Sequence, residues 1–314
     1  MIRFVALRSL QLIPVAFGIS LVMFFLLRIV PGDPAKVALG VYATPDRLAQ
    51  LRHAWGLDRP LAEQYFAFMA QVFQGDLGYS YFYRQPALNI VLERVPPELF
   101  LIGYGVTLTI LIGVPLGVIA ALRQERLADH LTRALMVFGL SLPSYWVGII
   151  LLLVFGLWLR VLPVGGYGTT FLDHLRSLFL PALTIALGMA PLVIRALRAS
   201  VIETLQADHV DMARSKGLPR STVLLRHVLR PALIPTVTVL GVNIGLLVGG
   251  TLIIESVFAV PGLGQLMVMA VSSRDFPVVQ AATVVFAALV VLVNLLTDVL
   301  VAYLDPRARL AMRA

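Results

Sequence analysis

Any chemistry done by this 314-residue chain has to come from its few nucleophiles, acids and bases, and the familiar catalytic arrangements are missing. A phosphate-cradling loop needs Gly-Lys followed by Ser or Thr, so that backbone N–H groups and one ammonium converge on the anion. The only lysines are Lys36, which follows Ala35, and Lys216, which precedes Gly217. None of the five histidines is followed by glutamate, which removes the His-Glu-x-x-His zinc arrangement, and no Gly-x-Ser-x-Gly elbow occurs. Cysteine is absent, which excludes disulfides, thiolate metal sites, iron–sulfur clusters and a cysteine nucleophile. The sequence therefore assigns no catalytic residue and no metal ligand, and the scattered histidines make no nickel or zinc cluster.

One charged stretch does carry a signature. Residues 195–230 hold the densest charge in the chain, and between Asp208 and Pro219 they read as a short helix with both ends specified. Asp208 is the expected N-cap, and Asp211 falls at the third helical position, where a carboxylate favours the helix dipole. Arg214 and Lys216 occupy the last turn, and Gly217 with Pro219 supplies the stop. A helix of roughly two and a half turns is marginal in water, so something else must hold it.

The framework that holds this helix follows from composition. With 59% hydrophobic and 13% charged residues and a mean hydropathy of +0.89, the chain cannot cover its apolar surface in water, whereas a bilayer removes that need. Six charge-poor stretches are long enough, or nearly so, to cross about 30 Å of hydrocarbon. They are Leu10 to Leu27, Leu99 to Leu122, Ala134 to Leu159, Leu178 to Ile194, Pro231 to Ile254 and Phe276 to Thr297. The first follows Arg3 and Arg8 and lacks a small-residue cleavage site, so it is expected to remain as an uncleaved helix. With six spans, Arg3 and Arg8, the arginines from Arg123 to Arg133, the cluster from Arg195 to Arg230 and the closing Arg307 to Arg313 share one side. That side is strongly basic and the opposite side neutral, which predicts cytoplasmic termini. The net charge of +8 is thus read as a topology signal and not as a nucleic-acid footprint.

The organisation expected is a tail and first helix over 1–30, an extracytoplasmic subdomain of short helices over 31–98, a five-helix core over 99–304 that includes the loop 195–230, and a tail over 305–314. In the fifth span Gly241, Gly245 and Gly249 recur every four residues on one face, suited to close packing against a partner chain, beside a path or within the chain. Gly113 and Gly117 in the second span have the same property. Pro143, Pro181 and Pro191 interrupt spans and permit bends. Asn243 and Gln280, polar within apolar spans, should face protein or a watery path. Ionisable residues are missing from the span centres, which argues against an ion-coupled transporter, and the lack of a nucleophile argues against an intramembrane enzyme.

The stretch Asp211-Met212-Ala213-Arg214-Ser215-Lys216-Gly217-Leu218 resembles the Glu-Ala-Ala loop of the membrane subunits of bacterial ATP-binding-cassette (ABC) importers. Met212 for alanine, and Arg230 with Pro231 one place on, match the dipeptide, oligopeptide and nickel permease branch. Pro31-Gly32-Asp33-Pro34, Gly56-Leu57-Asp58, Gly75-Asp76-Leu77-Gly78, Glu255-Ser256-Val257-Phe258, Pro261-Gly262-Leu263-Gly264, Arg274-Asp275-Phe276-Pro277 and Asp305-Pro306-Arg307 are similar to that branch in the same order. The resemblance implies an all-α integral membrane protein of six transmembrane helices, with the type I ABC importer permease fold, in the inner membrane. It implies a second homologous permease chain, two ATPase subunits that bind ATP and magnesium, and an extracytoplasmic solute-binding protein, with no cofactor in this chain. Asp208, Asp211, Met212, Ala213, Arg214, Lys216 and Gly217 would form the coupling helix seated in the ATPase. The solute would be a di- or oligopeptide, or alternatively a nickel chelate or glutathione.

Overall fold

The computed structural model describes residues 34–304 together with scattered positions between 10 and 25. The first expected span lies largely outside the described residues and the tail 305–314 wholly so. The outer segment opens with α1 (Pro34–Leu39) and α2 (Pro45–Ala54), where Thr44 accepts the Arg47 N–H and Pro45 begins the helix. It continues with α3 (Leu61–Gln74), closed by Gly75 at a φ of +76°. Tyr65 of α3 is buried, bonds the Ser20 hydroxyl at 2.8 Å and meets Phe17 and Phe24 edge-on. A two-residue antiparallel pair, β1 (Tyr79–Ser80) and β2 (Gln85–Pro86), leads into the bundle, and the buried Ser80 hydroxyl donates to Asp275.

The bundle begins with α4 (Ala87–Leu122), whose 36 residues make it about 54 Å long, well beyond the hydrocarbon thickness. The apolar run from Leu99 is therefore only part of a longer helix. The third expected span, Ala134 to Leu159, is not continuous: α5 (Leu127–Ser141) and α6 (Ser144–Trp158) meet at a 100° bend. The cause is local. Pro143 forces Leu142 into an extended conformation, with φ −96° and ψ 132°, and the last turns of α6 widen to π geometry over Leu152–Trp158. Then come α7 (Phe171–Ser177), started by a Thr170–Asp173 capping box, and α8 (Phe179–Leu205), which outlasts the apolar stretch ending at Ile194. After α9 (Asp208–Ser215), α10 (Arg220–Gly250) includes a π-type segment at Val223–Leu229 and stops at Thr251, short of the expected Ile254. Last come α11 (Leu252–Val257), α12 (Leu263–Ser272) and α13 (Phe276–Leu304).

Among the described residues four helices, α4, α8, α10 and α13, are long and apolar enough to cross a membrane, and the bent α5–α6 pair makes a fifth crossing if it is one span. Packing sets their directions. Gly105, Gly113 and Gly117 of α4 lie against Ile185, Val193 and Leu197 of α8, so these two helices run parallel and the chain between them must return across the bundle. Gly241 of α10 lies against Thr297 and Gly245 near Asn294, so α10 and α13 are antiparallel. Pro191 stays inside α8, its ring resting against Gly139 of α5. Threonine hydroxyls at 109, 184 and 236 bond the carbonyls of Gly105, Leu180 and Ala232 four residues back, which satisfies them inside an apolar core.

Candidate functional site

The short helix α9 stands where expected, with different ends. Its N-cap is Ala207, which offers no side-chain bond, and Asp208 is the first helical residue. Asp208 therefore acts with Asp211 through charge in the first turn and does not cap. The C-terminus follows the sequence closely: Lys216 caps, Gly217 takes a φ of +74°, and its N–H reaches the Arg214 carbonyl at 2.9 Å.

What holds so short a helix is the chain itself. Val210 and Ala213 are buried against Leu197 and Val201 of α8, Ala121 of α4, and Val223, Val228 and Ala232 of α10. Ala213, one of the residues placed in the coupling helix by resemblance, spends its small side chain on this internal packing. The outward face is formed by Asp208, His209, Asp211, Met212, Arg214 and Lys216, all exposed. Met212, at 60% exposure, is an apolar knob in a charged ring, and Arg214 pairs with Asp211 at 3.1 Å. An exposed pair of this kind contributes little stability, so the face is available for contact.

The other singled-out residues do not gather at α9. Gly241 and Gly245 serve packing between α10 and α13, whereas an added side-chain carbon at Gly249 would meet open space. The Asn243 amide donates to the Val239 carbonyl at 2.8 Å within its own helix. Gln280 is half-buried on α13, at a different level of the α10–α13 pair from Asn243. Gly113 and Gly117 prove to be intrachain packing positions.

Two buried ionic constellations escaped the sequence reading. Asp129 at the start of α5 is fully buried and accepts both Arg198 Nε and Nη2 at 2.7 Å, with the Glu125 N–H at 3.0 Å. At the other end of α4, Glu98 and Glu255 are both fully buried and face the Thr251 hydroxyl, which lies in the break between α10 and α11. Glu98 also accepts the Leu263 N–H at 3.1 Å, and Glu255 the Gln265 N–H at 2.8 Å. Carbons added at Gly262 or Gly264 would run into these carboxyls, so the glycines of Pro261-Gly262-Leu263-Gly264 let the backbone close onto them. That tetrapeptide beside Glu255 was the available signal. Its partner Glu98 sits 153 positions before Thr251, beyond any local pattern. Among the described residues no group of three acids, histidines or cysteines could hold a metal.

Comparison with known proteins bears on what these elements serve. Residues 113–310 match the family described as binding-protein-dependent transport system inner membrane component, and residues 1–102 match the corresponding N-terminal membrane component family. A Brucella ovis protein named as a peptide permease is 39% identical over 317 residues, covering 98% of this chain and 99% of the relative. The glutathione transport system permease protein GsiC of Escherichia coli K12 is 36% identical over 309 residues, with the same two coverages of 98% and 99%. In structure, the inward-facing MetNI methionine ABC transporter aligns with 69% of this chain and 96% of its own, at a TM-score of 0.57 and 17% identity, which shows a shared fold.

Proposed function

The chain belongs to the family of binding-protein-dependent transport system inner membrane components, and from that premise we propose that it forms half of a translocation path for short peptides. It is a permease subunit of an ATP-driven ABC importer of the peptide type. The observation that carries the reading is likeness along nearly the whole chain to permeases named for peptide and glutathione transport. In this reading a second homologous permease completes the path, a solute-binding protein delivers the peptide to the outer segment 31–98, and two partner ATPases bind and hydrolyse ATP. Seated in an ATPase groove by Met212 and its charged ring, α9 transmits closure of the ATPases to α8 through Val210 and Ala213. Gly249, Asn243 and Gln280 belong to the path or to the face toward the second permease. The basic side, carrying α9 and both termini, is cytoplasmic.

Glutathione is a second reading, favoured by GsiC, and is itself a tripeptide. Uptake by the assembled importer, reconstituted with its binding protein and with ATP on the ATPase side, decides between them. ATP-dependent accumulation of labelled di- or oligopeptide is the expected result; accumulation of glutathione alone selects the second reading, and uptake of neither refutes both.

Orientation is tested separately, since the native chain has no cysteine. Ser215→Cys and Gln74→Cys, both at exposed positions, should react with impermeant thiol reagents from opposite faces, the first from the cytoplasmic one. Ser80 is unsuitable because it is buried against Asp275. Labelling of both positions from one face overturns the topology.

A further inference from the structure

We propose that Glu98 and Glu255 hold one proton between them, and that this proton clasps residues 261–265 onto the outer end of α4. Thr251 Oγ1 lies 2.9 Å from Glu98 Oε1 and 2.6 Å from Glu255 Oε1, both hydrogen-bonding distances. A hydroxyl has one hydrogen to donate. Thr251 can donate to one carboxyl only, so in the other contact the hydroxyl oxygen accepts and the carboxyl must carry the hydrogen. The remaining oxygens are already committed, since Glu98 Oε2 and Glu255 Oε2 each accept a backbone N–H, from Leu263 and Gln265. With one proton every oxygen of the cluster has a hydrogen to share. Without it, two anions are buried against one hydroxyl, an arrangement that is strongly repulsive.

No ion pair among the described residues relieves that repulsion. On α4 the titratable groups nearest in sequence are Glu93, Arg94 and Tyr104, and on α6, which packs against α11, the only one is Tyr145. The helix α12 has none. Beside Phe100 of α4 lie Tyr167 and, on α7, His174, whose Nδ1 donates to the Tyr167 carbonyl at 2.7 Å; α7 also carries Asp173 and Arg176. The charged residues of the other elements packed against α4 and α11 lie farther along their helices: Asp129, His130 and Arg133 on α5; Arg195, Arg198 and Glu203 on α8; Arg220, Arg226 and Arg230, with His227, on α10; and Asp298, with Tyr303, on α13. Arg274 and Asp275 close α12, where Asp275 is engaged by Ser80.

The position gives the proton a consequence. The clasped loop begins α12, which packs against both α4 and α13, so the cluster ties together the outer ends of three helices. Releasing the proton to water leaves two facing anions, loosens the loop and frees α12. The protonation claim stands apart from the transport reading, whereas its effect on uptake rests on that reading, and the two are measured separately.

The test uses infrared spectroscopy of the importer complex in lipid nanodiscs at neutral pH, comparing wild type with Glu98→Gln. The amide N–H donates where a carboxyl hydrogen would, so the cluster no longer needs the shared proton. A protonated-carboxyl C=O band that shifts in D2O should appear in the difference spectrum, and wild type should lose the band as pH is raised. Its absence, with all carboxyls ionised at neutral pH, overturns the proposal. Should Glu98→Gln fail to assemble, Glu255→Gln and the pH titration of wild type give the same reading. In reconstituted uptake, wild type should lose up to about tenfold of its rate for each pH unit above the point at which the carboxyl band disappears, while Glu98→Gln loses less than about twofold over the same range. Identical pH profiles would show that the clasp does not control transport.

Discussion

Gly217→Val is expected to leave the chain inserted in the membrane and to abolish ATPase-coupled uptake. Gly217 ends α9 at a φ of +74°, where an L-residue is strained by about 1 kcal/mol and a β-branched one by more. Nothing lies within 4 Å of an added Cβ, so the cost comes from the backbone and not from a clash inside the chain. The chain relieves the strain by unwinding the C-terminal turn, which carries Arg214 and Lys216 and fixes the angle at which Met212 projects. The loop lies outside the bilayer-crossing helices, so permease levels should match wild type. Arg220→Gln, exposed and beyond the turn, should lower uptake much less. Pull-down of the ATPase from detergent and reconstituted uptake measure the effect; wild-type transport with retained ATPase would remove α9 from the coupling role.

Arg198→Leu is expected to be among the most destabilising single changes in the bundle. It strips a fully buried Asp129 of two 2.7 Å charge-assisted bonds and leaves only Arg133 at 3.5 Å and the Glu125 N–H. Breaking one side of a buried pair costs roughly 3–5 kcal/mol because a charge is left without its partner. Asp129→Leu should cost less, since Arg198 is 19% exposed and can turn toward solvent. The double variant Asp129→Leu with Arg198→Leu should recover most of the loss, because no unpaired charge remains. Thermal unfolding of the purified complex in detergent should rank Arg198→Leu lowest, with the double variant near wild type; a double variant no better than Arg198→Leu would show that the pair's charge is not what matters. Arg198 lies on α8 beside Leu197 and Val201, which carry α9, so the pair also ties α5 to the base of the proposed coupling element.

Features with local causes were legible in advance. The positive φ at Gly217 follows from glycine at a helix end, whereas Pro143, Pro181 and Pro191 gave one and the same signal and only Pro143 breaks its span. The size of that bend, 100°, was not legible, because it depends on what α6 packs against once the helix has stopped. Hydropathy located the apolar stretches within α4 and α8 but not the ends of either helix, since a helix continues past its apolar part as long as packing supports it. The glycines of α4 and α10 signalled close approach without naming the neighbour, which proved to be α8 for the first and α13 for the second.

Read without coordinates, the chain was already recognisable as a helical membrane permease with a short charged helix between two of its apolar stretches. Composition, charge asymmetry and capping residues act over a single turn or a single span, so they can be read without coordinates. Packing of the whole bundle is what brings Asp129 to Arg198, Ser80 to Asp275, and Glu98 and Glu255 to Thr251. Each of these joins residues far apart in the chain, and what makes each necessary is burial: a carboxyl placed inside the bundle must find a partner there, and the fold alone brings one within reach.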